Sequence, residues 1–231
     1  MTRSACLAAC LALGGCSGLS EEGGVAGLEI IVPRPASLEA GETITLTARA
    51  LDASGNQVDA PIVWRTPDTT LSVTPEGQVT GRTGGSTGRV QAQAGGLASD
   101  FVVFTIRPRP DTLLLSADSV LAVAADAPAS APLVATLRSF TPDQPVEGGT
   151  IVYTVTSPVF ADPVSRTVEL NGGVLTLGAA TGTDGTPSTA VLLSRVAGQT
   201  APAEAVVTVS ATTAAGTTVA GSGQRFRVQF Q

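Results

Sequence analysis

The residues that could do chemistry in this sequence are few, and the missing types decide most of the argument. Among 231 residues there is no histidine, and all 13 basic residues are arginine. Without histidine, Ser-His-Asp and Cys-His nucleophilic sites are excluded, and so are His-based zinc or iron sites. Without lysine, Schiff-base and Ser-Lys chemistry are excluded as well. A carboxylate pair of the glycosidase kind is what remains for catalysis. Asp52, Asp59, Asp68, Asp162 and Asp184 fall in expected loops, but they are scattered, with no D-x-D run. A calcium shell needs about six to eight oxygens around one point, so no metal site is expected, and the same scatter argues against a carboxylate pair. The stretch Gly81-Arg82-Thr83-Gly84-Gly85-Ser86-Thr87-Gly88-Arg89 has the glycines of a phosphate loop. It lacks the lysine, and a strand rather than a helix follows, so it reads as a loop between strands. Trp64 and Tyr153 could stack on a sugar, but both sit inside apolar strands, where core burial is the default. No catalytic residue, cofactor or metal is therefore expected, and the protein is not read as an enzyme.

One residue does stand where its chemistry has a use. Arg3 supplies a positive start, and an apolar run of small residues and leucines extends from Ser4 to Gly15, directly before Cys16. This is the layout of a secretory signal peptide, well short of the roughly 20 residues a spanning helix needs. Cys6 and Cys10 lie inside the run, and no cysteine follows Cys16, so the mature chain has no disulfide. Leu13-Gly14-Gly15-Cys16 resembles the bacterial lipobox: a branched apolar residue, two small ones, then the cysteine. The resemblance implies that the Cys16 thiol receives diacylglycerol and becomes the new N-terminus. One acyl chain, at about 0.8 kcal/mol per buried CH₂, holds a protein only marginally, while two or three hold it durably. Ser17 in place of an aspartate resembles lipoproteins sorted to the outer membrane. The expectation is an exported protein, lipid-anchored in the bacterial cell envelope.

The remaining composition limits what this cargo touches. The formal net charge is −6, one unit more negative once Arg3 is removed, and basic residues do not cluster. Nucleic acid is excluded as a partner, because phosphate binding needs grouped Lys and Arg. With 43% hydrophobic and 14% charged residues, apolar burial alone must hold the fold, and there is enough of it to build a core.

Short alternating segments divided by turn residues indicate an all-β chain. From Thr43 to Leu51, Ile44, Leu46, Ala48 and Ala50 share one face, while threonines and Arg49 take the other. Strands are also expected at Leu28 to Val32, Ile62 to Arg65, Leu71 to Thr74, Gln78 to Gly81, Arg89 to Ala94 and Leu97 to Ile106. Pro108 and Pro110 mark a semi-rigid connection. Beyond it, strands are expected at Thr112 to Leu115, Leu133 to Arg138, Thr150 to Ser157, Val164 to Glu169, Val174 to Ala179, Thr189 to Val196, Ala203 to Thr212 and Gln224 to Phe230. Asn171-Gly172 signals a hairpin between two of these. The segments 117–131 and 158–169 carry no clear register.

The order LEIIVPRPASLEAGETITLTARALDASGNQV, PIVWRTPD, LSVTPEGQVTGRTGG and GRVQAQAGGLASDFVVFTI resembles the bacterial Ig-like domain, group 2. Its features here are Gly41, the Asp52-to-Asn56 turn, Trp64 and Gly77. PVEGGTIVYTVTS, ATGTDGTPSTAVLLSRVAG and AVVTVSATT resemble the group 1, invasin and intimin type, with Asp184-Gly185 as its mark. These resemblances imply two antiparallel β-sandwiches, with Trp64 packed between sheets in the first, and a role as spacer or adhesive module. Without a receptor-binding tip domain after Phe230, a complete invasin-like adhesin is not expected. The expected organisation is a signal peptide (1–15), a lipidated N-terminus and flexible tether (16–26), a first Ig-like module (27–107), a Pro-rich linker (108–111) and a second module (112–231). Its partners are expected to be the membrane, through Cys16, and a protein or surface glycan. The alternatives left open are a carbohydrate-binding module and an envelope hydrolase using paired carboxylates.

Overall fold

The computed structural model describes residues 24–32, 35–161 and 165–231, and every regular element among them is a β-strand. The first module contains β1 (Gly27–Ile31), β2 (Ser37–Glu39), β3 (Thr43–Thr45), β4 (Thr47–Leu51), β5 (Gln57–Val58), β6 (Val63–Arg65), β7 (Leu71–Val73), β8 (Gln78–Gly81), β9 (Ser86–Ala94), β10 (Leu97–Ala98) and β11 (Val102–Arg107). The second contains β12 (Thr112–Leu115), β13 (Val120–Val123), β14 (Ala135–Phe140), β15 (Asp143–Pro145), β16 (Thr150–Ser157), β17 (Val168–Leu170), β18 (Thr176–Ala180), β19 (Leu193–Arg195), β20 (Glu204–Ala211) and β21 (Arg225–Phe230). The expected all-β class is what the structure has.

The alternating face of 43–51 is buried as its sequence dictates: Ile44, Leu46 and Ala50 are nearly inaccessible. The segment is nevertheless two strands, not one. β4 pairs antiparallel with β1, β3 pairs with β8, and between them the Leu46 amide donates to the Gly77 carbonyl at 2.8 Å. Together with β5 against β4 and β7 against β8, these strands make one layer of the module, hydrogen-bonded as two three-stranded sheets, β1-β4-β5 and β3-β8-β7. The facing sheet is built on β9, which pairs with β6 on one side and β11 on the other. β2 closes this sheet by running parallel to β11. The chain therefore starts in one sheet (β1) and crosses to the other (β2) before the core is complete. This is the two-sheet arrangement of an immunoglobulin-like sandwich. Leu38, Leu46, Leu71, Val79, Phe104 and Ile106 fill the space between, each at most 2% exposed.

The second module repeats that path. β12 pairs antiparallel with β14, while β13 crosses over to run parallel to β21. β21, β20, β16 and β18 continue the sheet in that order. The opposite layer is completed by β17 against β19. Its core is separate from the first and includes Leu113, Leu137, Ile151, Tyr153, Val207 and Phe226, all inaccessible to solvent.

Several segments depart from what periodicity implies. The stretch Leu97 to Ile106 is interrupted because Ser99 leaves the ladder. Its hydroxyl accepts the Ala92 amide at 3.1 Å, and its own amide donates to the Ala92 carbonyl at 2.9 Å. Asn171-Gly172 makes the expected tight turn, with φ of 45° and 71°, but it does not join two paired strands. It closes a single Leu170–Val174 bridge, after which the chain changes layer, so that β17 pairs with β19 and β18 with β16. Of the stretch Thr189 to Val196, only Leu193–Arg195 is strand. Within 117–131 the strand is β13, and within the described part of 158–169 it begins only at Val168. Residue 164, placed by the sequence in a strand, lies outside the described residues.

Trp64 is a partial correction. It faces the first core, as expected of this position, but it is half-buried rather than enclosed. β6 has only three residues and, among the described strands, pairs with β9 alone, so Trp64 sits on a short edge strand. The indole is backed by the turn at Gly77. A Cβ there would lie 2.9 Å from the indole nitrogen and 2.6 Å from the Leu46 carbonyl, at a φ of +80°.

Gly77→Ala is thus both strained and sterically blocked, and it should destabilise the first module by about 1–3 kcal/mol. The only tryptophan of the chain reports this directly: its emission should shift to the red in the variant's native state, and an unshifted spectrum at unchanged stability would contradict the packing. Phe104→Ala and Phe226→Ala should each cost about 3–5 kcal/mol through cavity formation. In urea unfolding, each should move the transition of its own module and leave the other in place.

Candidate functional site

Most of the carboxylates singled out in the sequence serve the loops that carry them. Asp52 accepts the Ser54 and Asn56 amides, both at 2.8 Å, and the Asn56 side chain at 3.2 Å. The Asn56 bonds, then that of Ser54, hold its carboxyl below the usual aspartate range. Asp184 takes the same role for Thr186, accepting its amide at 2.9 Å and its hydroxyl at 2.8 Å, and is lowered for that reason. Asp68 binds the Arg89 guanidinium at 2.9 and 3.0 Å and the Arg89 amide at 2.8 Å, which also lowers it. Asp59 stands exposed on its loop, and Asp162 lies outside the described residues. Among the described residues no three His, Cys, Asp or Glu side chains are grouped to hold a metal.

The other sequence candidates separate in the same way. Of the Gly-rich stretch, Arg82 to Gly85 is loop and Ser86 to Arg89 belongs to β9. Gly84 and Gly85 are tight because of packing, not phosphate: a Cβ at Gly84 would lie 2.7 Å from Pro108, and one at Gly85 2.9 Å from the Gln144 side chain. Tyr153 is fully buried in the second core, where burial pushes its phenol up. Its hydroxyl lies beside the Ala135 backbone without a well-formed hydrogen bond. Cys16, the lipidation candidate, lies outside the described residues. Among those described, no helix is long and apolar enough to cross a membrane.

What the sequence did not show is the seam between the modules. The parallel pairing of β2 with β11 ends on the rung that sets Glu39 opposite Arg107. Both residues then reach into the second module. Glu39 Oε2 accepts the Ala214 amide at 2.7 Å, and Arg107 Nη1 donates to the Gly148 carbonyl at 3.2 Å. Glu39 is only 8% exposed, and its own amide donates to Glu42 Oε2 at 2.8 Å. In the linker, Arg109 binds Asp111 at 2.7 Å, and Asp111 also accepts the Phe140 amide at 2.8 Å. Burial works upward on Asp111, but the Phe140 amide and Arg109 outweigh it and hold its carboxyl low.

A cavity of about 400 Å³ opens beside this rung, lined by Glu39, Glu42, Arg109 and Asp111 from the first module and linker, and by the loop carrying Thr213 and Thr217 from the second. Two glutamates in one cavity revive the question of paired carboxylates. Here, however, Glu39 binds the Ala214 amide and Glu42 the Glu39 amide, so both are engaged in holding backbone. A second groove, of about 660 Å³, runs past Gly85, Arg107, Pro108 and Gly148. Turns supply Gly148 and the loop after β20 supplies Ala214. These are pairings a sequence reading could not reach, since Glu39 and Ala214 are 175 residues apart.

No protein-family model and no curated protein matches this sequence. Among solved structures the chain is similar to the Yersinia pseudotuberculosis adhesin InvE, at 16% identity over 85% of this chain, with a TM-score of 0.40; it spans 57% of that solved chain. It is similar to Rst D1-D2 at 13% identity, covering 89% of this chain and all of that one, with a TM-score of 0.40. It is similar to domains 4 and 5 of the S-layer protein SbsC at 18% identity, covering 89% of this chain and 98% of that one, with a TM-score of 0.35. The fold assignment rests on the strand pairings themselves.

Proposed function

We propose that this protein is a lipid-anchored spacer of the bacterial cell envelope, held through Cys16 and presenting two immunoglobulin-like modules to a protein or surface glycan. The observation that carries this reading is the seam. The second module is bonded directly to the last rung of the first, through Glu39 to Ala214 and Arg107 to Gly148, so the pair makes a jointed unit rather than two beads on a string. The similarity to an adhesin and to a surface-layer protein agrees with a structural or adhesive role at the cell surface. Asp52, Asp184 and Glu39 each accept backbone amides, of turns in the first two cases and of the second module in the third. The anchor would fix the amino-terminal end, and sorting to the outer membrane follows from Ser17 after Cys16 in the lipobox resemblance.

Cys16→Ser tests the anchor. Labelled fatty acid should enter the parent and be absent from the variant, while the circular dichroism of the two modules stays the same. The variant should leave the membrane fraction, or stay there only with its signal sequence uncleaved. A variant that is cleaved normally and still sediments with membranes after washing at high salt would place the attachment elsewhere.

A further inference from the structure

The seam places a carboxylate where water reaches it poorly, which has consequences an arginine or a threonine there would not have. Glu39 is held between its own turn and the loop that follows β20. Every charged group acting on it comes from the first module or the linker: Arg107 across the rung, Arg109 in the linker and Glu42 in the turn. Asp111 lines the same cavity but is committed to Arg109 and the Phe140 amide. The covering loop of the second module brings Thr213, Ala215, Thr217, Thr218 and Val219, none of them ionisable. Ala214 offers a backbone amide and no countercharge. Docking of the second module therefore strips water from Glu39 and returns one hydrogen bond.

We propose that this seam is a proton-linked joint: with Glu39 neutral the two modules are held in one relative orientation, and with Glu39 ionised the seam opens toward the adjoining cavity and the modules move more freely. The cavity of about 400 Å³ gives water a short way in. An ionised carboxylate gains most from that water, because burying a charge without a close countercharge is costly. The direction of the titration agrees. Burial raises Glu39 above the ordinary glutamate value of 4.5, with Glu42 adding to the rise, and this outweighs the opposing Ala214 amide, Arg107 and Arg109. A group whose value is raised in the closed seam stabilises that seam fully below the ordinary value, and the stabilisation is lost as the pH rises through the raised one. The loss loosens a joint and does not unfold a module, since neither apolar core includes Glu39. The inference deepens the reading of the chain as a jointed spacer but does not depend on the lipid.

The test measures the distance between the modules. In the full chain with Cys6, Cys10 and Cys16 replaced by serine, single cysteines at Ser54 and Gln199, both exposed, carry spin labels. The distribution of distances should be about twofold narrower at about pH 4.5 than at about pH 8, as expected when one of two conformations is selected. Glu39→Gln, which keeps the oxygen that accepts from Ala214 and retains Glu42 and Asp111, should be narrow at both values. Equal widths in the parent at the two pH values, or a broader distribution in acid, would overturn the proposal. A Glu39→Gln variant with the parent's pH dependence would assign the effect to another group and overturn it equally. Because the parent alone must show the effect, a poorly folded variant cannot rescue the idea. Loss of the lipid anchor has no bearing on these outcomes, so failure here and failure of the anchor are separate results.

Discussion

The parallel pairing of β2 with β11 is the interaction on which the rest of the first module, and the seam beyond it, depend. A two-sheet sandwich with no covalent cross-link can slide, and the sequence after Cys16 has no cysteine with which to make one. Running the first stretch of chain through both sheets opposes that motion, because β1 is bonded into one layer and β2 into the other. Leu38 sits at the centre of this clamp with no exposure, against Ile106 on the paired strand. Gly81 is the residue that lets the clamp close: a Cβ there would come within 3.0 Å of both the Glu39 carbonyl and Ile106. The second module uses the same device, with β12 in one layer and β13 parallel to β21 in the other. The two modules read as different types in sequence and yet share this path.

How much of this was legible depends on whether a feature is set locally. Face assignment is local, so the alternation from Thr43 to Leu51 gave the buried side of that segment correctly. The sheet switch at Leu46 is not local, because it exists only where the Leu46 amide meets the Gly77 carbonyl. Asn171-Gly172 shows the same limit. Its residues dictate a left-handed turn, and the turn is there, but which strand each arm pairs with is decided by the Asn171 side chain and the Ala190–Leu192 backbone it binds. Trp64 was placed on the right strand and facing the right way. The depth of its burial was set by β6 being a short edge strand, which composition does not announce.

The acidic residues illustrate how a charge can be read correctly in one respect and missed in another. Asp52 and Asp184 lie in turn-forming sequences, and in the structure their carboxylates accept amides two or four residues further on. Such aspartates replace backbone partners. Glu39 also borders a turn, in which its amide donates to the Glu42 side chain. Its distinguishing property, the amide of Ala214 above it, comes from the other module. Arg195 is a comparable case. Its guanidinium binds the Ala124, Ala127 and Gln231 carbonyls and lies 4.9 Å from the centre of the Phe230 ring, fastening the last strand to the loop before β14. Only the assembled fold gives this residue its partners.

Held at its amino-terminal end and loaded at its far one, a chain with this topology would pass tension along a defined path. Force would enter at β1, cross to β2, and leave the first module along β11 toward the linker. β2 and β11 are parallel neighbours in register, Ser37 to Glu39 against Thr105 to Arg107. Pulling their opposite ends apart loads all the bonds of the pairing together, in shear, whereas antiparallel arms pulled from one end would open bond by bond. The next link is the rung of Glu39 and Arg107, from which bonds run to Ala214 and Gly148. The shear-loaded pairing of the first module and its contact with the second are thus consecutive along the line of load. A seam placed there can change the angle between modules without weakening the clamp, because its bonds leave from the end of the pairing and not from within it.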